Sequence, residues 1–379
     1  MSMLDDRTLT QWLLADGGLA VRYRTATELL PAQERVDAAA LADELLSSAP
    51  VRHWLPLLDR PGGVGHLHSS QPSAFENAMG KLFELGLRAG MPALDEKTAP
   101  FRSWLAEKLD AGTGQAGVVG GFYVRLVAGT LARSGYWGEK PVRDALLHTL
   151  ARLACTAASG SCDIWLRPEE CRGFPNACRG KPIIRPEFLF GGKTPLPLIH
   201  DLYGLSGLPS ETLSAATRSK VRAVVGYVLR PEFQALPDGY GYLSDTAKRQ
   251  VWAGGWGVYL PGTRGFSLSH RDAAFFVQRL ELMAHFSAAA RSGWFRSSLQ
   301  HLEQYRTKDG TYRLPSRYLS EKRTGYYVHG AYMGLGENRR TRHGLEIEST
   351  FRVLKIKRLA GVSSVKTCPR SRGLGPQTR

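Results

Sequence analysis

Apolar residues recur at helical spacing from one end of this chain to the other, and nowhere sustain the two-residue alternation of a half-buried strand. Phe75, Met79, Leu82 and Gly86 share one face in AFENAMGKLFELGL. Phe275, Phe276, Arg279, Leu280, Met283 and Phe286 do so in AAFFVQRLELMAHF, and Ile347, Thr350, Phe351 and Leu354 in the last apolar run. The same pattern covers roughly 20–30, 37–47, 95–109, 119–134, 140–157, 196–205, 210–229 and 292–304. Hairpin-bounded alternation is missing, so an extensive sheet is not expected. The fold class that follows is all-α.

Between these runs, glycine pairs and an Asp-Gly step recur at Gly62-Gly63, Gly120-Gly121, Gly191-Gly192, Gly254-Gly255 and Asp309-Gly310. Their second glycines are 58, 71, 63 and 55 residues apart, a spacing that fits a helix pair plus a structured loop. Aromatics follow several of them: GGFY at 120–123, GGWGVY at 254–259 and DGTY at 309–312. A chain of 379 residues with 41 glycines yields some pairs by chance, and the aromatic partners lift the pattern above that background.

With these steps the chain resembles bacterial members of the terpenoid cyclase/protein prenyltransferase α-α toroid superfamily. The opening WLLADGGLAVRYRTATELL resembles their first helices, and QYRTKDGTY (304–312) a loosened Gln…Asp-Gly-x-aromatic repeat of squalene-cyclase-like chains. GLEIESTFRVLKI resembles their last helix. The resemblance implies an α-α toroid, or partial toroid, of paired helices over residues 1–359, with a small or lipid-like substrate bound or converted in a central cavity. The Asp-x-Asp-Asp acid of squalene cyclases does not occur here, which leaves the enzyme question open. A non-catalytic scaffold or binding module and a carbohydrate-active toroid (lyase or hydrolase) stand as alternatives.

The formal charge of +16 is uneven. Residues 1–100 carry 9 Lys/Arg against 13 Asp/Glu, whereas eight Lys/Arg and no acid follow from Arg352 onward. Nucleic-acid binding asks for that charge on a folded face with interleaved aromatics, and SSVKTCPRSRGLGPQTR has none. A disordered basic tail over 360–379 is expected instead, with no nucleic-acid partner. No apolar run is long enough for a membrane span, and two acids precede the first apolar patch, so a cytoplasmic location is expected.

Function is expected in the polar, aromatic stretch from Tyr305 to Arg340. Tyr327, His329, Glu337 and Asp309 are the candidate catalytic groups, because tyrosine, histidine and carboxylate side chains move protons. Tyr326, Arg339, Arg340 and Trp256 are candidates for substrate binding: aromatic faces stack on rings and guanidinium groups grip anions. Asp309 also fits a plain Asp-Gly turn. Cys155, Cys162, Cys171 and Cys178, spaced C-x6-C-x8-C-x6-C, suggest Zn or an Fe–S cluster, against packed thiols or disulfides as alternatives. No C-x2-C pair is present, and Cys155 sits in an apolar helical run where a thiol packs as a small hydrophobe.

Overall fold

A computed structural model describes residues 5–35, 37–59, 66–111, 117–172, 174–189, 192–209, 211–245 and 250–362. Helix dominates, as the apolar spacing requires. In chain order come α1 (Asp6–Asp16), α2 (Leu19–Arg24), α3 (Ala38–Leu46), α4 (Ala49–Trp54), α5 (Phe75–Leu85), α6 (Pro92–Asp110), α7 (Gly117–Arg133) and α8 (Lys140–Ser159). Then follow α9 (Ile199–Ser206), α10 (Ala215–Val228), α11 (Pro231–Gln234), α12 (His270–Ala284), α13 (Ser287–Ala290), α14 (Gly293–Glu303) and α15 (Arg342–Leu359). Among the described residues, one two-stranded antiparallel sheet, β1 (Tyr242–Asp245) with β2 (Gln250–Ala253), pairs Leu243 with Trp252. Among the described residues no helix is long and apolar enough to cross a membrane.

Local chemistry sets many of the helix ends. Side chains of Asp5, Ser48, Ser214, Ser269, Ser292 and Thr341 accept from backbone N–H groups in the first turns of α1, α4, α10, α12, α14 and α15. Prolines occupy the first turns of α6 and α8, where their missing N–H costs nothing. Past Arg24 the backbone continues as a π-helical turn, Thr25–Leu29, which carries Glu28.

Helices α2, α5, α7, α9, α12 and α15 touch one another in that order, and α15 touches α2 again. Helices α1, α6, α8 and α14 pack against members of this set, and α10 packs against α8. Every residue of α5 is buried, as is every residue of α12 from Ala273 to Ala284. One apolar cluster runs from Ala20 to Ile356, with Phe75, Phe276 and Phe295 each at most 1% exposed. Burying each such ring contributes about 1.5–3 kcal/mol.

Helices buried on all sides must also bury their charges. Arg352 is bound to Glu84 at 2.7 Å and to Glu281 at 2.8 Å, and Lys355 to Glu281 at 2.7 Å and Glu28 at 2.8 Å. Arg24 reaches Glu28 at 2.8 Å and Glu84 at 3.2 Å. Arg352 and Lys355, two of the eight basic residues counted from Arg352 onward, are therefore interior ion-pair partners on α15 and not solvated charges. Helix α15 ends at Leu359, Ala360 to Val362 close its last turn, and residues 363–379 of the expected tail lie outside the described residues.

The glycine steps do not all separate helices. Gly120 and Gly121 lie inside α7. Gly254 and Gly255 follow β2, and Gly310 turns the chain at φ +91. Gly62, Gly63 and Gly191 lie outside the described residues.

Candidate functional site

The loop from Tyr326 to Gly330 is clamped from several helices at once. Asn77 of α5, fully buried, accepts from the Tyr327 N–H at 2.8 Å and donates to the Ser69 and Gln71 carbonyls, both at 2.8 Å. One amide thereby ties this loop to the segment that carries His68. Gln278 donates to the Tyr327 carbonyl at 2.7 Å, and Arg279 donates to that of Val328 at 2.6 Å. Tyr327 itself points inward: its hydroxyl donates to Glu84 and accepts from Arg133, both at 2.5 Å. Gly330 makes the exit turn at φ +79, and an added Cβ there would lie 2.0 Å from the Ala274 carbonyl oxygen of α12.

These clamps place Tyr326 and His329, both half-buried, beside residues from three other segments. Tyr326 stacks on His68 with ring centroids 4.8 Å apart and meets His329 edge-on at 5.9 Å. His329 shares Nε2 with the Gly255 carbonyl at 3.0 Å. The next residue, Trp256, donates its indole N–H to His68 Nε2 at 3.0 Å and stacks on Phe122 of α7 at 4.1 Å. Its carbonyl accepts from the Ile199 N–H at 2.9 Å, which anchors it to the start of α9. Behind His68, the Glu76 carboxylate of α5 binds His68 Nδ1 with one oxygen and His200 Nε2 with the other, the latter at 3.0 Å.

Partners fix the proton positions. The indole can only donate, so His68 Nε2 is bare and its proton sits on Nδ1, facing Glu76. A carbonyl can only accept, so His329 carries its proton on Nε2. Burial pushes the Glu76 carboxyl up, but the hydrogen bonds from His200 and His68 outweigh it and hold it below the usual carboxylate range. Burial lowers His200 against the pull of Glu76. Burial, with Arg279 nearby, lowers His329 to about 4. Tyr326 is raised by burial and by Glu76.

The remaining expected site residues go elsewhere. Glu337 accepts from the Gly18 N–H at 2.5 Å at the start of α2, and burial raises its carboxyl. Arg339 pairs with Glu348 at 3.2 Å and Glu321 at 3.6 Å, so its charge is already matched. Arg340 is exposed, and Asp309 is exposed in the Thr307–Gly310 turn, where the Gly310 N–H closes on the Thr307 carbonyl. Glu337, through its N–H, and Arg339 share Glu348, but among the described residues no partner is common to these two and to Tyr327 or His329. Of the sequence candidates, Tyr326, His329 and Trp256 come together. His68, Glu76, His200 and Phe122 were missed; the visible signal was a His-x-His step in HLHSS shortly before a helix with Glu in its first turn.

The metal expectation finds no support. Among the described residues no group of three or more His, Cys, Asp or Glu side chains is arranged to hold an ion. Cys155 is exposed on α8 rather than packed, Cys162 Sγ lies 3.9 Å from the Tyr227 hydroxyl, and Cys178 Sγ lies 3.6 Å from the Ser244 hydroxyl. These thiols face different elements. Burial raises the Cys171 thiol, which disfavours the thiolate a metal needs.

The histidines and buried carboxylates make an acid-sensitive fold. His200, His301 and His329 are lowered from 6.5 in the folded state, so unfolding takes up protons as pH falls below about 6.5. Their contribution is complete above that pH and is lost on acidification. Glu84, lowered to about 2, together with Glu28 and Glu281, adds a loss below 4.5 with the same sign. The melting temperature should fall by at least about 5 °C from pH 7.5 to pH 4.5, read by circular dichroism. A flat or rising profile would show that these histidines are not held neutral.

No protein-family model, no curated protein and no solved structure matches this chain.

Proposed function

We propose that this chain is an α-α toroid of the terpenoid cyclase/protein prenyltransferase type that binds a carbohydrate-like ligand at its loop end and moves protons on it. The toroid reading is supported by the cyclic order in which α2, α5, α7, α9, α12 and α15 touch. One observation carries the ligand reading: Trp256, Tyr326, His68 and His329 form one half-buried aromatic and imidazole cluster, backed by the Glu76 carboxylate. Aromatic faces bind sugar rings by stacking, and a neutral imidazole offers a bare nitrogen that accepts a proton or a hydrogen bond.

A ligand in the centre of the helices is less well supported. The side chains that meet there include Arg133, Glu84, Arg352, Glu281 and Lys355, and the described cavity among Glu76, His200, Tyr203, Arg133 and Tyr327 is about 10 Å³. That holds about one water, not an isoprenoid chain.

Calorimetric titration separates the readings, with cellotetraose, maltotetraose, xylotetraose and a tetragalacturonate set against farnesyl diphosphate. Binding of an oligosaccharide, weakened about tenfold or more by Trp256→Ala, is the expected result. Farnesyl diphosphate binding that ignores Trp256→Ala would favour the lipid-like substrate. Binding of neither class would favour a scaffold.

A further inference from the structure

We propose that His329 Nδ1 is the fixed hydrogen-bond acceptor for a ligand hydroxyl, and that the ligand is a neutral polyhydroxyl ring. This rests on the carbohydrate reading above and narrows it to one class and one atom. The Gly255 carbonyl holds the ring proton on Nε2 at 3.0 Å and leaves Nδ1 with a lone pair and no partner among the described residues. The other accessible imidazole, His68, has both nitrogens engaged, by Glu76 and by the Trp256 indole. A ligand reaching the cluster therefore meets one uncommitted imidazole acceptor, and an acceptor selects a hydroxyl donor.

The position of that acceptor is set by its neighbours. Gly255 and Trp256 are consecutive, so one short segment holds His329 by its carbonyl and His68 by its indole. Asn77, Gln278 and Arg279 fix the backbone on the other side. Tyr326 lies edge-on to the His329 ring, and the face of a sugar laid on Tyr326 or Trp256 would turn its equatorial hydroxyls toward the rim of the cluster.

Charge argues for a neutral ligand. The four half-buried side chains of the cluster, His68, Trp256, Tyr326 and His329, carry no fixed charge, and Glu76 is 2% exposed with both oxygens bound. The charged groups that act on His329 are Arg279 and Arg271 of α12 and Asp238 ahead of β1. Arg279 is 1% exposed, its two terminal nitrogens donate to Val328, Gln278 and Tyr203 while Nε is buried without a partner among the described residues, and Arg271 is paired with Asp238. Neither offers an anion a free guanidinium. With burial and Arg279 keeping the ring neutral, the acceptor persists down to about pH 4, where protonation turns it into a donor.

Two measurements test this. Nitrogen-15 NMR of the free protein at pH 7 should show His329 protonated on Nε2 alone; a proton on Nδ1 overturns the assignment without any ligand. In calorimetry with cellotetraose, maltotetraose and xylotetraose, His329→Phe should weaken the binding seen about 5–20-fold, the worth of one hydrogen bond. His329→Gln, which keeps an acceptor oxygen, should weaken it less, and wild-type binding should fall toward pH 4 while that of His329→Phe stays level. Binding lost in Trp256→Ala but unchanged in His329→Phe would overturn this assignment and leave the carbohydrate reading standing. Preference for tetragalacturonate over the neutral sugars would overturn the neutral class, and binding of no oligosaccharide would overturn both.

Discussion

Replacing Arg352 by methionine should destabilise the protein by about 3–5 kcal/mol, the usual cost of leaving buried charge without its partner. Arg352 is fully buried, bound to Glu84 and Glu281, and donates to the Met333 carbonyl at 2.8 Å. Burial disfavours its charge, yet the two carboxylates outweigh that and raise it above its ordinary value. Methionine fills similar volume, so the loss reads electrostatics rather than a cavity. Glu84 would keep Arg24 at 3.2 Å and Arg133 at 3.8 Å, and Glu281 would keep Lys355, too few to match the charges as before. Arg342→Met, on the same helix, breaks only an exposed pair with Glu346 and should be close to neutral. Urea unfolding of the two variants decides it: equal, small losses would mean the interior charges are not held as described. Because Glu84 also receives the Tyr327 hydroxyl, the Arg352 variant should loosen the His329 loop as well.

The second large effect should come from one added methyl group. A Cβ on Gly129 of α7 would lie 2.2 Å from the His200 carbonyl oxygen, and one on Gly204 of α9 would lie 2.9 Å from the Gly129 Cα. The two helices cross backbone to backbone, so no side chain can swing away. Gly129→Ala gains about 1 kcal/mol of helix propensity, but overpacking of this kind costs about 1–3 kcal/mol and sometimes more. The net should be destabilising, and it should move His200 relative to Glu76. Gly226→Ala on α10 meets nothing within 4 Å and should stabilise by about 0.5–1 kcal/mol. Thermal or urea unfolding of both reads the contrast, and opposite signs from the same substitution are the expected outcome. A stabilising Gly129→Ala would mean that α7 and α9 do not approach so closely.

The cluster proposed as the site was partly legible in the sequence for a simple reason. Tyr326, His329 and Trp256 stood out because aromatic and imidazole groups crowd into loops that packing does not require. Glu337 and Arg339 stood out equally, and their neighbours in space, Gly18 and Glu348, spend them on holding the chain together. Residue type alone does not separate a side chain that waits for a ligand from one that closes a loop. His68, Glu76 and His200 lie up to 132 residues apart in sequence and meet only because Asn77 draws the 66–71 segment over α5 and the Trp256 carbonyl seats α9.

What the sequence determined by itself is the helical character of the chain and the approximate bounds of its helices. Apolar spacing, capping side chains and prolines act within a few residues, so they are written where they act. What only the tertiary structure decided is which faces are inside. A lone charge such as Glu84, Glu281, Arg352 or Lys355 is too costly to bury. Brought together from α5, α12 and α15, with Arg24 and Glu28 beside α2, they satisfy one another, and helices that read as amphipathic become buried on every side. That compensation is a property of residues far apart in the chain, and no local pattern carries it.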